Sequence, residues 1–133
     1  MIAAKCTQSS VRESMFRAVN DDEPAIDLVH LARQTDGDEA LEAELLAMFC
    51  AQAAKLAARL QLAEVGAQAK ADIAHRLKGS ALAIGARRVA AAATAAEAHF
   101  AKVASGEAME GDPLFELQAA VDEARAAIAR LTS

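Results

Sequence analysis

The sequence predicts an all-α protein, an antiparallel up-and-down four-helix bundle with a short additional N-terminal helix. Hydrophobic residues make up 54% of the 133-residue chain but aromatic residues only 3%, and alanine, the best helix former, accounts for much of the apolar fraction. Apolar residues recur at helical spacing, and both prolines lie near the ends of these patterns rather than inside them. The length fits one domain.

The N-terminal part of the chain divides into a tail and the start of the domain. Residues 1–22 are polar, with a few apolar residues that suggest a partly helical tail, and residues 23–133 form the predicted bundle domain. Pro24 is expected in the first turn of a short apolar helix that ends near Gln34, because proline has no N–H to leave unpaired there.

A long second helix is expected after the turn at residues 35–38, because Asp36 and Glu39 have the spacing of a capping box. Its apolar positions repeat with helical spacing for about six turns. Gly66 marks the end of this segment. The predicted inner stripe is Leu41, Leu45, Met48, Phe49, Gln52, Leu56 and Leu60.

Three further helices complete the predicted bundle. The third is expected over residues 67–84 and the fourth over residues 86–104, with Gly85 interrupting the pattern between them. Asp112 and Pro113 predict the N-cap and the first residue of the last helix. The predicted inner residues are Ile73, Leu77, Ile84, Val89, Ala92, Ala96, Phe100, Val103, Leu114, Leu117, Val121, Ala124, Ile128 and Leu131.

Charge, hydropathy and cysteine usage narrow the functional classes. A net charge of −5 disfavours nucleic-acid binding, and no apolar run is long enough to span a membrane. Cys6 and Cys50 lack metal-type spacing and are expected to be reduced. We therefore expect a cytoplasmic monomer that binds neither nucleic acid nor membranes. Residues 68–88 carry five basic residues against one acidic residue, a local charge of +4 suited to an acidic partner.

His75 is the candidate functional residue. At about 100° per residue it lies about 160° from both Ile73 and Leu77, so its imidazole should face water when they face the core. A neutral imidazole is a nucleophile, and Lys78 could neutralise phosphoryl oxygens. Gly79 costs the helix about 1 kcal/mol relative to alanine, which room for a phosphoryl group would explain. The same face contains Gln68, Ala71, Asp72, Lys78, Gly79 and Leu82.

This segment resembles the histidine-containing phosphotransfer (Hpt) domains of multistep phosphorelays. The family pattern is histidine, any residue, leucine, lysine and glycine, followed by small residues and a later Gly-Ala pair. Glu97 resembles a glutamate that the family tends to carry late in the following helix. The residues that match the pattern are His75, Leu77, Lys78, Gly79, Ser80, Gly85 and Ala86.

The resemblance implies that His75 accepts a phosphoryl group from the aspartate of a response-regulator receiver domain and passes it to another receiver. Lys78 would neutralise the phosphoryl charge and Gly79 would give the partner access. The receiver would bring Mg²⁺, the chain would hold no cofactor of its own, and a hybrid histidine kinase would also be a partner. Such a carrier is not an enzyme, and no Walker-type loop is present. Predicted partner contacts are Gln68, Ala71, Asp72, Arg76 and Leu82.

A metal-binding helical bundle is one alternative. Asp27 with His30, and Asp72 with His75, each place a carboxylate one turn before a histidine, a spacing used by metal sites in bundles. Such sites point inward, whereas the predicted outward His75 lies beside cationic Lys78 and is poorly suited to a cation.

A module that sequesters a receiver without phosphotransfer is another alternative, and a redox switch of the two cysteines is a weaker one. His30 and His99 are expected at ordinary solvated positions. Ser80 is expected to face the core, with its hydroxyl bonded to a preceding backbone carbonyl.

Overall fold

The computed structural model describes residues 24–132, and every helix or strand assigned in this range is an α-helix. The predicted all-α class is therefore confirmed. The predicted tail over residues 1–22 lies outside the described residues. Within them, no helix has the length and hydropathy needed to cross a membrane. The helices are α1 (Leu28–Thr35), α2 (Glu39–Leu60), α3 (Ala67–Ile84), α4 (Arg87–Ala104) and α5 (Pro113–Thr132).

The four long helices enclose one aliphatic core. Both α2 and α4 contact α3 and α5, which closes a ring, and the short α1 packs against α2 and α3. Small side chains such as Ala74, Ala93 and Ala96 are completely buried, and small residues let helices approach closely. The largest fully buried side chains are Leu31, Leu60, Leu77, Val89, Leu117 and Val121.

The boundaries of α1 and α2 differ from those predicted. Pro24 precedes α1, and Asp27 is its N-cap, with Oδ1 accepting a hydrogen bond from the His30 N–H at 3.1 Å. Asp36 has a left-handed backbone with φ 55° and ends α1, so the predicted capping box is wrong. Asp38 caps α2 instead, by accepting from the Leu41 N–H. Aspartate suits both positions, so the pattern alone could not separate Asp36 from Asp38.

The inner face of α2 is also rotated from the predicted stripe. Met48 is 61% exposed and Gln52 is exposed, while Leu46 and Ala53 are buried. An alanine-rich helix offers more than one apolar stripe, so spacing alone does not decide which one faces the core. Residues of the predicted stripes that lie partly exposed at helix ends are Leu41, Val103 and Leu131.

Gly85 ties α1 to the turn between α3 and α4. It has φ +79°, ends α3 as predicted, and accepts a hydrogen bond from the Asp27 N–H at 2.9 Å. Arg87 Nη2 also donates to Asp27 Oδ2 at 2.6 Å. The hydrogen bond from the His30 N–H, followed by the charge of Arg87, outweighs desolvation and holds the pKa of Asp27 below its usual value. The Gly-Ala pair of the sequence pattern therefore has a structural role.

Gly85→Ala is expected to lower the free energy of unfolding by about 2–4 kcal/mol, combining left-handed strain with overpacking. A Cβ at Gly85 would lie 2.9 Å from Asp27 Cβ. Gly37 is a matched control, because its φ is +78° but nothing lies within 4 Å of an added Cβ. Urea unfolding followed by circular dichroism should show a loss of only about 1 kcal/mol for Gly37→Ala. Equal losses in both variants would contradict the role of the Asp27 contact.

Candidate functional site

The imidazole of His75 lies on the outer surface of α3. Its side chain is 63% exposed, whereas Ile73, Ala74 and Leu77 beside it in the sequence are buried. The outward orientation predicted from helical periodicity is therefore confirmed. Burial of the neighbouring aliphatic residues fixes the rotation of α3 and keeps the ring at the surface.

Glu97 of α4 bridges His75 and Lys78. Its Oε2 lies 2.9 Å from His75 Nδ1, and its Oε1 lies 3.3 Å from Lys78 Nζ. Burial raises the pKa of Glu97, but hydrogen bonds from Lys78 and His75 outweigh this effect and hold the pKa below its usual value. A carboxylate can only accept, so His75 Nδ1 carries the hydrogen, and a neutral ring then has its free lone pair on Nε2.

Gly79 leaves an open space one helical turn after His75. Among the described residues, no atom outside the local helix backbone lies within 4 Å of the position that a Cβ would occupy, in contrast to Gly85. Nothing in the described part of the chain therefore requires glycine at this position. Because glycine weakens a helix by about 1 kcal/mol relative to alanine, the internal packing does not account for the glycine beside this exposed histidine.

The other predicted contact residues do not all reach the surface. Gln68, Asp72 and Arg76 are exposed, and Gln68 Nε2 donates to Asp72 Oδ1 at 3.1 Å. Leu82 is 52% exposed. Ala71 is only 4% exposed and belongs to the core, so little of its side chain can touch a partner. Ala71 is therefore removed from the predicted partner contacts, whereas Gln68, Asp72, Arg76 and Leu82 stay predicted contacts.

The basic segment predicted over residues 68–88 is divided by the fold. Arg87 pairs with Asp27, and Arg88 Nε lies 2.7 Å from Glu123 Oε1, so both serve contacts within the bundle. Lys70 Nζ lies 5.6 Å from the centre of the Phe100 ring. The fold therefore uses at least two of the five basic residues of this segment for contacts within the bundle.

A groove between α2 and α3 was not predicted. Ser80 Oγ donates to Gln52 Oε1 at 2.8 Å, so the prediction that this hydroxyl bonds to a preceding carbonyl is wrong. Gln52, Lys55 and Arg59 follow helical spacing on α2, a polar stripe that could have revealed this face in the sequence. The groove is lined by Met48, Ala51, Gln52, Lys55, Leu56, Arg59 and Arg76.

The two other histidines are not simply solvated. His30 Nε2 is buried and has no hydrogen-bond partner in the described structure, so the predicted position of His30 is wrong. His99 is half-buried and packs edge-on against Phe100, with ring centres 5.1 Å apart. Among residues 24–132, neither ring forms a salt bridge with a carboxylate as His75 does.

In the described structure, the Asp–x–x–His pairs are not joined by further ligands. Asp27 pairs with Arg87, and His75 pairs with Glu97 beside cationic Lys78. Among residues 24–132, no group of three or more histidine, cysteine, aspartate or glutamate side chains could hold a metal ion. This geometry gives no support to the metal-binding alternative.

Comparison with known proteins supplies the family. A scan against protein-family models matches the Hpt domain over residues 44–127, and comparisons with curated proteins and with solved structures found no significant match. The matched range contains His75, Lys78, Gly79 and Glu97. Since the match covers more than half of the chain, we conclude that the chain belongs to the Hpt domain family, the phosphocarrier modules of two-component phosphorelays.

Proposed function

We propose that His75 accepts a phosphoryl group from the aspartyl phosphate of a response-regulator receiver domain and passes it to a second receiver. The observation that carries the proposal is the exposed imidazole whose Nδ1 is held by Glu97 at 2.9 Å. A hybrid histidine kinase is the proposed source of the first receiver. The proposed scaffold is an antiparallel up-and-down bundle. For α3 and α4 it is supported by the contact between His75 and Glu97, which lie 10 residues before and 12 residues after Gly85 in the sequence.

The proposed transfer is a direct displacement. His75 Nε2 attacks phosphorus, the bond from phosphorus to the aspartyl oxygen breaks, and the receiver aspartate leaves as a carboxylate. Nδ1 keeps its hydrogen, so the ring gains a positive charge that faces the Glu97 carboxylate. Both linkages are high in energy, and the bundle therefore needs to supply position and charge rather than a full catalytic apparatus. This is a carrier's role, not an enzyme's.

Lys78 supplies the positive charge in this proposal. Its side chain is 28% exposed, and its Nζ is held near His75 through Glu97, 3.3 Å away. An ammonium group one turn from the nucleophile can neutralise the phosphoryl oxygens as the group arrives. Mg²⁺ would come with the receiver, and the chain is proposed to hold no cofactor. The cytoplasmic location and the monomeric state stay predictions from the sequence.

Gly79 provides the most informative variant for partner access. Gly79→Ala should raise the free energy of unfolding by about 0.5–1 kcal/mol, since alanine favours the helix and its Cβ meets no neighbouring group. Gly79→Gln should slow phosphoryl transfer from a receiver, because its side chain would fill the approach to His75. Urea unfolding measures the first effect and single-turnover transfer measures the second.

Ala126→Gln on α5 is the matched control, because Ala126 is also exposed on a helix. This control should transfer at the wild-type rate. A wild-type rate for Gly79→Gln would show that the open space beside His75 is not needed by the partner.

The direct test of the function uses receiver domains from the source organism, each phosphorylated with acetyl phosphate. After mixing, the protein should carry phosphate that is labile in acid and stable in base, as expected for phosphohistidine. A receiver that binds tightly while the protein acquires no phosphate would overturn the proposal and favour the sequestering module.

A further inference from the structure

We propose that the groove between α2 and α3 is a cationic docking surface that selects receivers with an acidic edge beside their phosphorylation site. This inference rests on the proposed function, because the groove matters for selection only if a receiver approaches His75. It assigns partner choice to Lys55 and Arg59 of α2 as well as to Arg76 of α3.

The groove adjoins the site through α3. Arg76 lines the groove and directly follows His75 in the sequence, and Gly79 lies one turn further along. The bond from Ser80 Oγ to Gln52 Oε1, at 2.8 Å, holds α2 against α3 beside this gap. A partner that fills the space at Gly79 therefore also meets the polar face of α2.

Within the described part of the chain, the cations of the groove have no ion-pair partner. Lys78, Arg87 and Arg88 are engaged in ion pairs, whereas Lys55, Arg59 and Arg76 form none within residues 24–132. All three are exposed. These three cations lie on one face of a chain whose net charge is −5. Their positive charge attracts an acidic protein surface before the two proteins come into contact.

An apolar contact lies at one end of the groove. Met48 is 61% exposed on α2, two turns before Lys55. A flexible thioether beside cationic groups fits a protein surface that combines apolar and acidic side chains. A nucleic acid would need a denser array of cations, since its affinity comes mainly from neutralised phosphates.

The test compares transfer from the wild-type protein with transfer from a Lys55→Glu/Arg59→Glu double variant. Each protein is loaded on histidine with phosphoramidate and mixed separately with every receiver domain of the source organism. The receivers that discharge the wild-type protein fastest should discharge the double variant about tenfold more slowly at low salt, because exposed charges act mainly on association. High salt should remove most of this difference.

Arg125→Glu is the control, because Arg125 is an exposed arginine on α5. This variant should transfer phosphate at the wild-type rate. Wild-type rates for the double variant, or equal slowing at both salt concentrations, would overturn the docking proposal. If the double variant transfers at wild-type rates but has lost affinity for a DNA duplex, the groove binds nucleic acid and the docking proposal is overturned. Phosphoramidate needs no docking, so failure of the wild-type protein to be loaded would instead overturn the proposed function.

Discussion

Replacing His75 by glutamine is expected to abolish phosphate uptake from a phosphorylated receiver while leaving the free energy of unfolding within about 0.5 kcal/mol of wild type. The ring is 63% exposed and its hydrogen bond to Glu97 lies at the surface, so the bundle loses little when the ring is removed. The variant has no nucleophile for phosphoryl transfer, because the amide of glutamine cannot form the phosphoramidate linkage. Acid-labile phosphate and urea unfolding measure the two effects separately.

His99→Gln provides the control for this experiment. His99 lies on α4 and is half-buried against Phe100, without the carboxylate partner of His75. Phosphate uptake by this variant should equal that of wild type. Phosphate that still appears on His75→Gln would place the acceptor elsewhere and end the assignment.

Lys78→Ala should slow receiver-to-histidine transfer by about 100-fold, the usual cost of removing one group that stabilises developing charge. Glu97 would then hold His75 Nδ1 without a neighbouring cation, and the phosphoryl oxygens would depend on the Mg²⁺ of the receiver alone. Lys78→Arg keeps a positive charge and should recover part of the rate. Rapid-mixing single-turnover measurements separate this effect from weaker docking, because transfer is followed at saturating receiver.

Lys102→Ala on α4 is the control, because Lys102 is an exposed lysine outside the Glu97 bridge. It should leave the transfer rate unchanged. An unchanged rate in Lys78→Ala would show that the receiver supplies all of the charge neutralisation and would remove Lys78 from the mechanism.

The parts of the fold with strong local signals were predictable. Gly66 and Gly85 frame α3, and its observed range of Ala67–Ile84 agrees with the prediction. Asp112 accepts a hydrogen bond from the Leu114 N–H and Pro113 opens α5, as their sequence suggests. The outward direction of His75 follows from the same logic, since it depends only on which residues of one helix are buried.

The contacts between helices were harder to predict from the sequence. Glu97 was identified only by family resemblance, because its approach to His75 depends on how α3 and α4 pack. The groove beside Arg76 depends on the rotation of α2, which an alanine-rich pattern leaves undetermined. Local sequence also could not distinguish Gly85, which the packing requires, from Gly79, which the internal packing does not require.

Nuclear magnetic resonance of the nitrogen-labelled His75 ring tests the central claim most directly, because it identifies which nitrogen carries hydrogen and which carries phosphate. We expect hydrogen on Nδ1 and a bare Nε2 in the neutral ring of the free protein. After transfer from a receiver, the phosphate should be on Nε2. A neutral ring with hydrogen on Nε2, or phosphate on Nδ1, would contradict the account.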